Sequence, residues 1–119
     1  MADGFDNDTE LLHIFAQPNN HDEAFIVGNR LGLERLRDAL NAALEQRGAH
    51  SADVFTNDGE GYSAVVVFGE IEQMNALTLP YTEWIGTDRG DDTWPGQLPA
   101  VKRWFAEQRA RIQKAEPNQ

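Results

Sequence analysis

Residues 25–48 constrain the fold of this chain most strongly, because they predict a short buried strand that turns directly into the longest amphipathic helix. Asn29 suits a helix N-cap, and Gly48 suits the left-handed residue that commonly ends a helix. Along the helix, apolar residues recur at intervals of three and four, which places them on one helical face. These residues are Leu33, Leu36, Leu40, Ala43 and Leu44. We therefore predict a helix from about residue 31 to residue 47, with its leucine face in the core.

Four apolar stretches predict strands. Runs 11–16 and 23–27 form one hairpin, and runs 52–56 and 62–69 form a second, because an Asp-Gly pair between apolar runs is a strong hairpin signal. Residues 70–76 fit a helical turn, and residues 77–81 fit an edge strand because Pro80 cannot donate a backbone hydrogen bond. A last helix is predicted over about 98–115, with an apolar stripe formed by Leu98, Val101, Phe105, Gln108 and Ile112.

These elements, in the order ββαββ(β)α, indicate an α+β fold in which two main helices pack on a mostly antiparallel sheet of four to five strands. The 119 residues are enough for one domain and too few for two of ordinary size. We predict a flexible acidic arm at residues 1–10, a single domain at residues 11–116 and a flexible tail at residues 117–119.

The charge balance limits the partners of the chain. Twenty acidic residues against ten basic ones give a formal net charge of −10, which repels nucleic acid and anionic membranes and attracts basic proteins. Arg103 and Arg111 lie four residues from Glu107, so pairing on the helix surface accounts for much of the basic charge near the end of the chain. The chain has no Cys and its start lacks the pattern of a signal peptide, which predicts a cytoplasmic protein.

No set of residues indicates a particular reaction. His13, His21 and His50 lie in a predicted strand, in a turn and just past a helix end, so the sequence places no two of them together as metal ligands. Neither serine lies in a Gly-x-Ser-x-Gly turn, and the acidic loops lack the spacing of a calcium loop. We therefore predict no catalytic residues, no metal site and no cofactor.

The candidates for binding a partner are aromatic residues and acids that lie close together in sequence. Residues 82–97 have no regular period, and so long a loop in a small domain is usually functional or disordered. Aromatic side chains supply binding energy, and surrounding carboxylates speed the approach of a basic partner. The candidates are Asp58, Glu60, Tyr62, Tyr81, Glu83, Trp84, Asp88, Asp91, Asp92 and Trp94. In the alternative interpretation, the two Trp side chains fold back and cover the sheet.

Two other functions stay open at this stage. Residues 28–32 resemble an anion-binding turn, in which free N–H groups and the helix dipole meet a phosphate and Arg30 serves the anion. That interpretation predicts a small-ligand binding domain or an enzyme, although helix capping explains the same residues without a ligand. The third hypothesis is a structural module, with the chain forming a homodimer through its edge strand.

Three stretches between residues 11 and 81 carry a resemblance to a known class of proteins. They are the strand that leads through residues 28–30 into the leucine-rich helix, the hairpin at 58–62 before an aliphatic strand, and residues 79–81. The chain resembles the small cytoplasmic immunity proteins that neutralise toxins delivered between competing bacteria. This resemblance implies a protein that binds one cognate toxin, often over the toxin's active site, and has no activity of its own. The toxin is expected to be basic, with a nuclease as one candidate.

Overall fold

The computed structural model describes residues 8–83 and 93–115. The elements are β1 (Leu12–Phe15), β2 (Phe25–Gly28), α1 (Arg30–Gln46), β3 (Ala49–Phe55), β4 (Gly61–Val67), α2 (Ile71–Ala76), one turn of 3-10 helix (Pro95–Gln97) and α3 (Pro99–Ala115). The predicted helices and both hairpins are confirmed, and β3 begins three residues earlier than predicted. Residues 1–7 of the predicted arm and the predicted tail lie outside the described residues.

The four strands form two antiparallel two-stranded sheets. Leu12 lies opposite Gly28 in the first sheet, and Ala49 lies opposite Val67 in the second. One parallel bridge, between Leu11 and Phe55, joins the two sheets. The α+β class is confirmed, but the predicted sheet of four to five strands is not. The Leu11 carbonyl accepts from the Asn29 N–H, and the Leu11 N–H donates to the Asn29 side chain. Because both backbone groups of Leu11 are bonded to the start of α1, they do not extend a ladder with β3.

Local backbone chemistry at the ends of α1 agrees with the prediction. The Asn29 side chain accepts a hydrogen bond from the Gly32 N–H at 2.9 Å, which satisfies one of the free donors of the first turn. At the other end Gly48 has φ 75°, in the left-handed region. Arg47 closes the helix with its N–H on the Ala43 carbonyl, and its guanidinium lies 5.1 Å from the centre of the Phe68 ring.

The face of α1 that packs on the second sheet differs from the predicted leucine face. Gly32, Ala39 and Ala43 are buried, and Leu36 packs against the core from its edge. Leu33 and Leu40 are each more than two-fifths exposed, so the prediction that they belong to the core is wrong, and Leu44 is 70% exposed. The buried residues are small, which lets the helix axis approach β3 closely. Small residues therefore line the buried face of α1, and Leu33, Leu40 and Leu44 lie outside it.

The core is correspondingly small. One cluster contains Leu12, Ala39, Ala52, Val54 and Ala64, and only Leu12 and Val54 are large side chains with almost no exposed surface. Helix α3 adds Leu98 and Val101, both buried, while Phe105 and Ile112 of its predicted stripe are about half exposed. Helix α3 is also joined to β3 by a hydrogen bond, which the Trp104 indole N–H donates to the Ser51 hydroxyl at 3.2 Å.

The predicted edge strand at residues 77–81 is wrong. Among the residues that the structure describes, only Leu77 makes a bridge there, a parallel one to Thr93. Thr78 donates to the Thr93 carbonyl at 2.9 Å, whereas further along Thr82 donates to the Gln17 carbonyl at 3.2 Å. Thr78 and Thr82 thus bond to two different neighbours, and residues 77–81 form no strand ladder within the described part of the chain. Within residues 8–83 and 93–115, no helix has the length and apolar character needed to cross a bilayer.

Candidate protein-binding surface

The turn between β3 and β4 presents two of the predicted acids. Gly59 has φ 90°, a conformation that glycine adopts without steric cost, and its N–H donates to the Thr56 carbonyl. The Asp58 carboxylate accepts from the Thr56 hydroxyl and from the Glu60 N–H. These two hydrogen bonds lower the pKa of Asp58 below its ordinary value. Asp58 and Glu60 are therefore exposed carboxylates on a turn whose backbone is held in place.

Tyr62 has a structural role that the sequence did not predict. Its ring packs against the core cluster, and its hydroxyl donates to the Leu12 carbonyl at 2.6 Å. Burial raises the pKa of this phenol. The hydroxyl thus holds β1 on the second sheet, and the part of Tyr62 in partner contact stays a prediction. His13 has a similar structural role, since its Nε2 atom accepts from the Asn57 N–H at 2.9 Å.

The segment that follows α2 presents Tyr81 and Glu83 beside the loop that joins β1 to β2. Glu83 donates its N–H to the Pro18 carbonyl at 2.9 Å. Tyr81 lines an apolar groove of about 730 Å³, together with Met74, Leu77, Leu79, Pro80, Trp94 and Pro95. Trp94 is 65% exposed, so it does not fold back over the sheet. Of the predicted contact residues, Tyr81 and Trp94 thus lie together.

The remaining candidates fall elsewhere. Asp58, Glu60 and Tyr62 belong to the β3–β4 hairpin, whereas Tyr81, Glu83 and Trp94 belong to segments that follow α2. Trp84, Asp88, Asp91 and Asp92 lie outside the described residues, so their part in the surface stays a prediction. Within the described ranges, no group of three or more His, Asp or Glu side chains is arranged to hold a metal ion.

The start of α1, considered above as an anion site, is covered by the chain itself. Leu11 crosses it so closely that a Cβ atom built on Gly32 would lie 1.9 Å from the Leu11 carbonyl oxygen, and one on Gly28 would lie 2.8 Å from it. Asn29 bonds the Gly32 N–H, the Leu11 N–H and the Thr9 carbonyl. Arg30 points into solvent, 86% exposed, beside Glu34. The two glycines are thus explained by close backbone packing, which favours capping over a bound anion.

A second apolar surface was missed by the sequence analysis. Ile14, Phe15, Phe25, Ile26 and Val27 are each between 50% and 58% exposed. Alternate residues of a strand point to opposite faces, so both faces of the β1–β2 hairpin carry exposed apolar side chains. The signal in the sequence was the run Phe25-Ile26-Val27, apolar on both faces. Such a run was expected to be buried, but the structure supplies no element that covers it among the described residues.

Comparison with protein-family models, with curated proteins and with solved structures finds no match to this chain.

Proposed function

We propose that this protein binds a basic partner protein, a cognate toxin, and inhibits it by direct contact, without catalysis of its own. The observation that carries the proposal is the exposed Trp94 side chain beside Tyr81 in an apolar groove. Trp and Tyr are among the residue types that are enriched where a few side chains supply most of a binding energy. The groove, of about 730 Å³, has room for an apolar side chain of the partner.

The acids supply the second part of the proposal. Asp58 and Glu60 are exposed on their turn, Glu83 is exposed near the groove, and the whole chain has a net charge of −10. Such a field speeds the encounter with a basic protein and does so less as salt is added. A nuclease fits as the toxin because its site for a phosphate backbone is basic. We place this encounter in the cytoplasm, as the resemblance to immunity proteins implies.

The experiment is affinity capture with tagged protein from cells in which candidate toxins are expressed, washed at low and at moderate salt. The wild-type chain is expected to retain one stoichiometric basic polypeptide, more of it at low salt. Trp94→Ala should lose that polypeptide, because it removes the exposed anchor. Phe105→Ala is the matched control, since Phe105 is an exposed aromatic residue on α3 and does not line the groove.

Binding alone does not establish inhibition, so the captured polypeptide is then assayed for its own activity with and without this protein. Stoichiometric loss of that activity supports the proposal. Equal capture by wild type and Trp94→Ala contradicts the role of the groove. An empty capture in cells that express the toxin contradicts the function itself.

A further inference from the structure

The outer edge of β2 has no backbone partner among the residues that the structure describes. Strand β2 pairs with β1 on one side, with Phe15 opposite Phe25 and Leu12 opposite Gly28. On its other side, none of the backbone hydrogen bonds outside the strands and helices involves residues 25–27. An isolated two-stranded hairpin is marginally stable in water, and an open edge is a template for another strand. A strand from another molecule can therefore pair with this open edge of β2 and extend the sheet.

The same edge carries an uncharged apolar surface. Residues 14–16 and 24–28 contain no charged side chain, although the chain as a whole has a net charge of −10. Five of these residues are at least half exposed on the two faces of the hairpin. A basic partner is drawn to carboxylates, and this patch holds none for it to pair with. A second copy of the chain meets the least electrostatic repulsion where both surfaces are uncharged.

We propose that two copies of this chain pair antiparallel along β2, about a two-fold axis, to form one four-stranded sheet of order β1–β2–β2–β1. Antiparallel pairing of a strand with its own copy is closed and self-complementary, so it stops at a dimer. Residues 25–27 then lie opposite residues 25–27, which gives the aromatic and β-branched cross-strand pairs that stabilise sheets.

The area at the paired edges fits a weak dimer. Phe25, Ile26 and Val27 leave roughly 300 Å² exposed on each copy, so their side chains bury at most on the order of 600 Å² in the pair, and the backbone hydrogen bonds between the two edges add to this contact. This inference is independent of toxin binding, because it uses β2 and not the groove. Added salt has opposite effects on the two interactions. It weakens the toxin complex, but it strengthens the dimer by screening the repulsion between two copies of charge −10.

The test is sedimentation of the purified full chain from low to high micromolar concentration, at low and moderate salt. The wild type is expected to approach twice its mass of 13.3 kDa, and to do so at lower concentration when salt is added. Ile26→Lys places a like-charged pair in the interface and should weaken the dimer by about tenfold or more. Ile112→Lys should leave it unchanged, since Ile112 is an isoleucine of similar exposure on α3.

A monomer at every concentration overturns the proposal and leaves the β2 edge to a different protein. A dimer unaffected by Ile26→Lys overturns it as well, because another surface then holds the two copies together. If Ile26→Lys fails to fold, single cysteines decide, since the chain has none of its own. Ile26 lies opposite its own copy in this pairing, so oxidation of Ile26→Cys should give covalent dimers faster than oxidation of Ile112→Cys, and equal rates contradict the pairing.

Discussion

Replacing Gly32 by alanine tests the packing at the start of α1. The sequence alone predicts that Gly32→Ala is stabilising, by up to about 1 kcal/mol, because alanine favours the helix over glycine. The structure predicts the opposite. The new Cβ would lie 1.9 Å from the Leu11 carbonyl oxygen and 2.6 Å from its carbonyl carbon, and these atoms belong to backbone, so the whole segment must move.

The size of the effect follows from what that segment holds. Displacing Leu11 breaks or lengthens three hydrogen bonds, Asn29 N–H to the Leu11 carbonyl, Leu11 N–H to Asn29 Oδ1, and Asn29 Nδ2 to the Thr9 carbonyl. At about 1 kcal/mol each, their loss costs about 3 kcal/mol, comparable with the usual cost of overpacking a core. After the gain in helix propensity we expect a net loss of about 2 kcal/mol, a large share of the stability of a small domain.

The assay is urea unfolding followed by tryptophan fluorescence and by far-UV circular dichroism. Gly32→Ala is expected to unfold at lower urea concentration with an unchanged slope, and to melt about 8 °C below the wild type. Gly96→Ala is the control, because a Cβ at Gly96 meets no atom of the described residues within 4 Å. If Gly32→Ala is as stable as the wild type, Leu11 does not cross the helix as closely as described.

Three further predictions concern single hydrogen bonds. Tyr62→Phe should lower the free energy of unfolding, measured in urea, by about 1 to 2 kcal/mol, because the Leu12 carbonyl loses its donor. Burial raises the pKa of Tyr62 above its ordinary value of 10.0. The wild type should therefore also lose stability as the pH rises past 10.0, and Tyr62→Phe should lose less. The lowered pKa of Asp58 stabilises the fold above its ordinary value of 3.8, so stability should fall as pH drops below that value, and Asp58→Asn should flatten this loss in acid melts. Ser51→Ala, which leaves the Trp104 indole N–H without its acceptor, should cost about 1 kcal/mol, whereas Ser63→Ala, at an exposed pair with Asp53, should change the unfolding midpoint little.

The candidate surface was predictable to the extent that it depends on residue type. Exposed aromatic residues among acids indicated Tyr81 and Trp94, and the structure places both in one groove. Tyr62 has the same residue type and the same acidic neighbours in sequence, yet its hydroxyl is used within the fold. Nothing local distinguishes the two tyrosines, because the acceptor of Tyr62 is the carbonyl of Leu12, fifty residues away.

The exposure of the apolar surface at β2 was likewise not predictable from the local sequence. A run such as Phe25-Ile26-Val27 is normally buried, since burial of apolar area is the main gain of folding. Here the elements within residues 8–83 and 93–115 are too few to cover both faces of two separate hairpins, and α1 covers only the second sheet well. An apolar run left exposed becomes an interaction surface, and this property depends on the whole arrangement of elements.

The sequence by itself determined the helices, the two hairpins and their turn chemistry, because caps and turns depend on neighbours within a few residues. Asn29 at the N-cap, Gly48 after the helix and Gly59 in the hairpin all act locally. Only the tertiary structure decided that α1 buries Gly32, Ala39 and Ala43, that the strands divide into two sheets, and that β2 keeps an open edge. Those outcomes depend on which distant backbone packs against a given face, and at the start of α1 the Leu11 backbone occupies the space that a side chain at Gly32 would need.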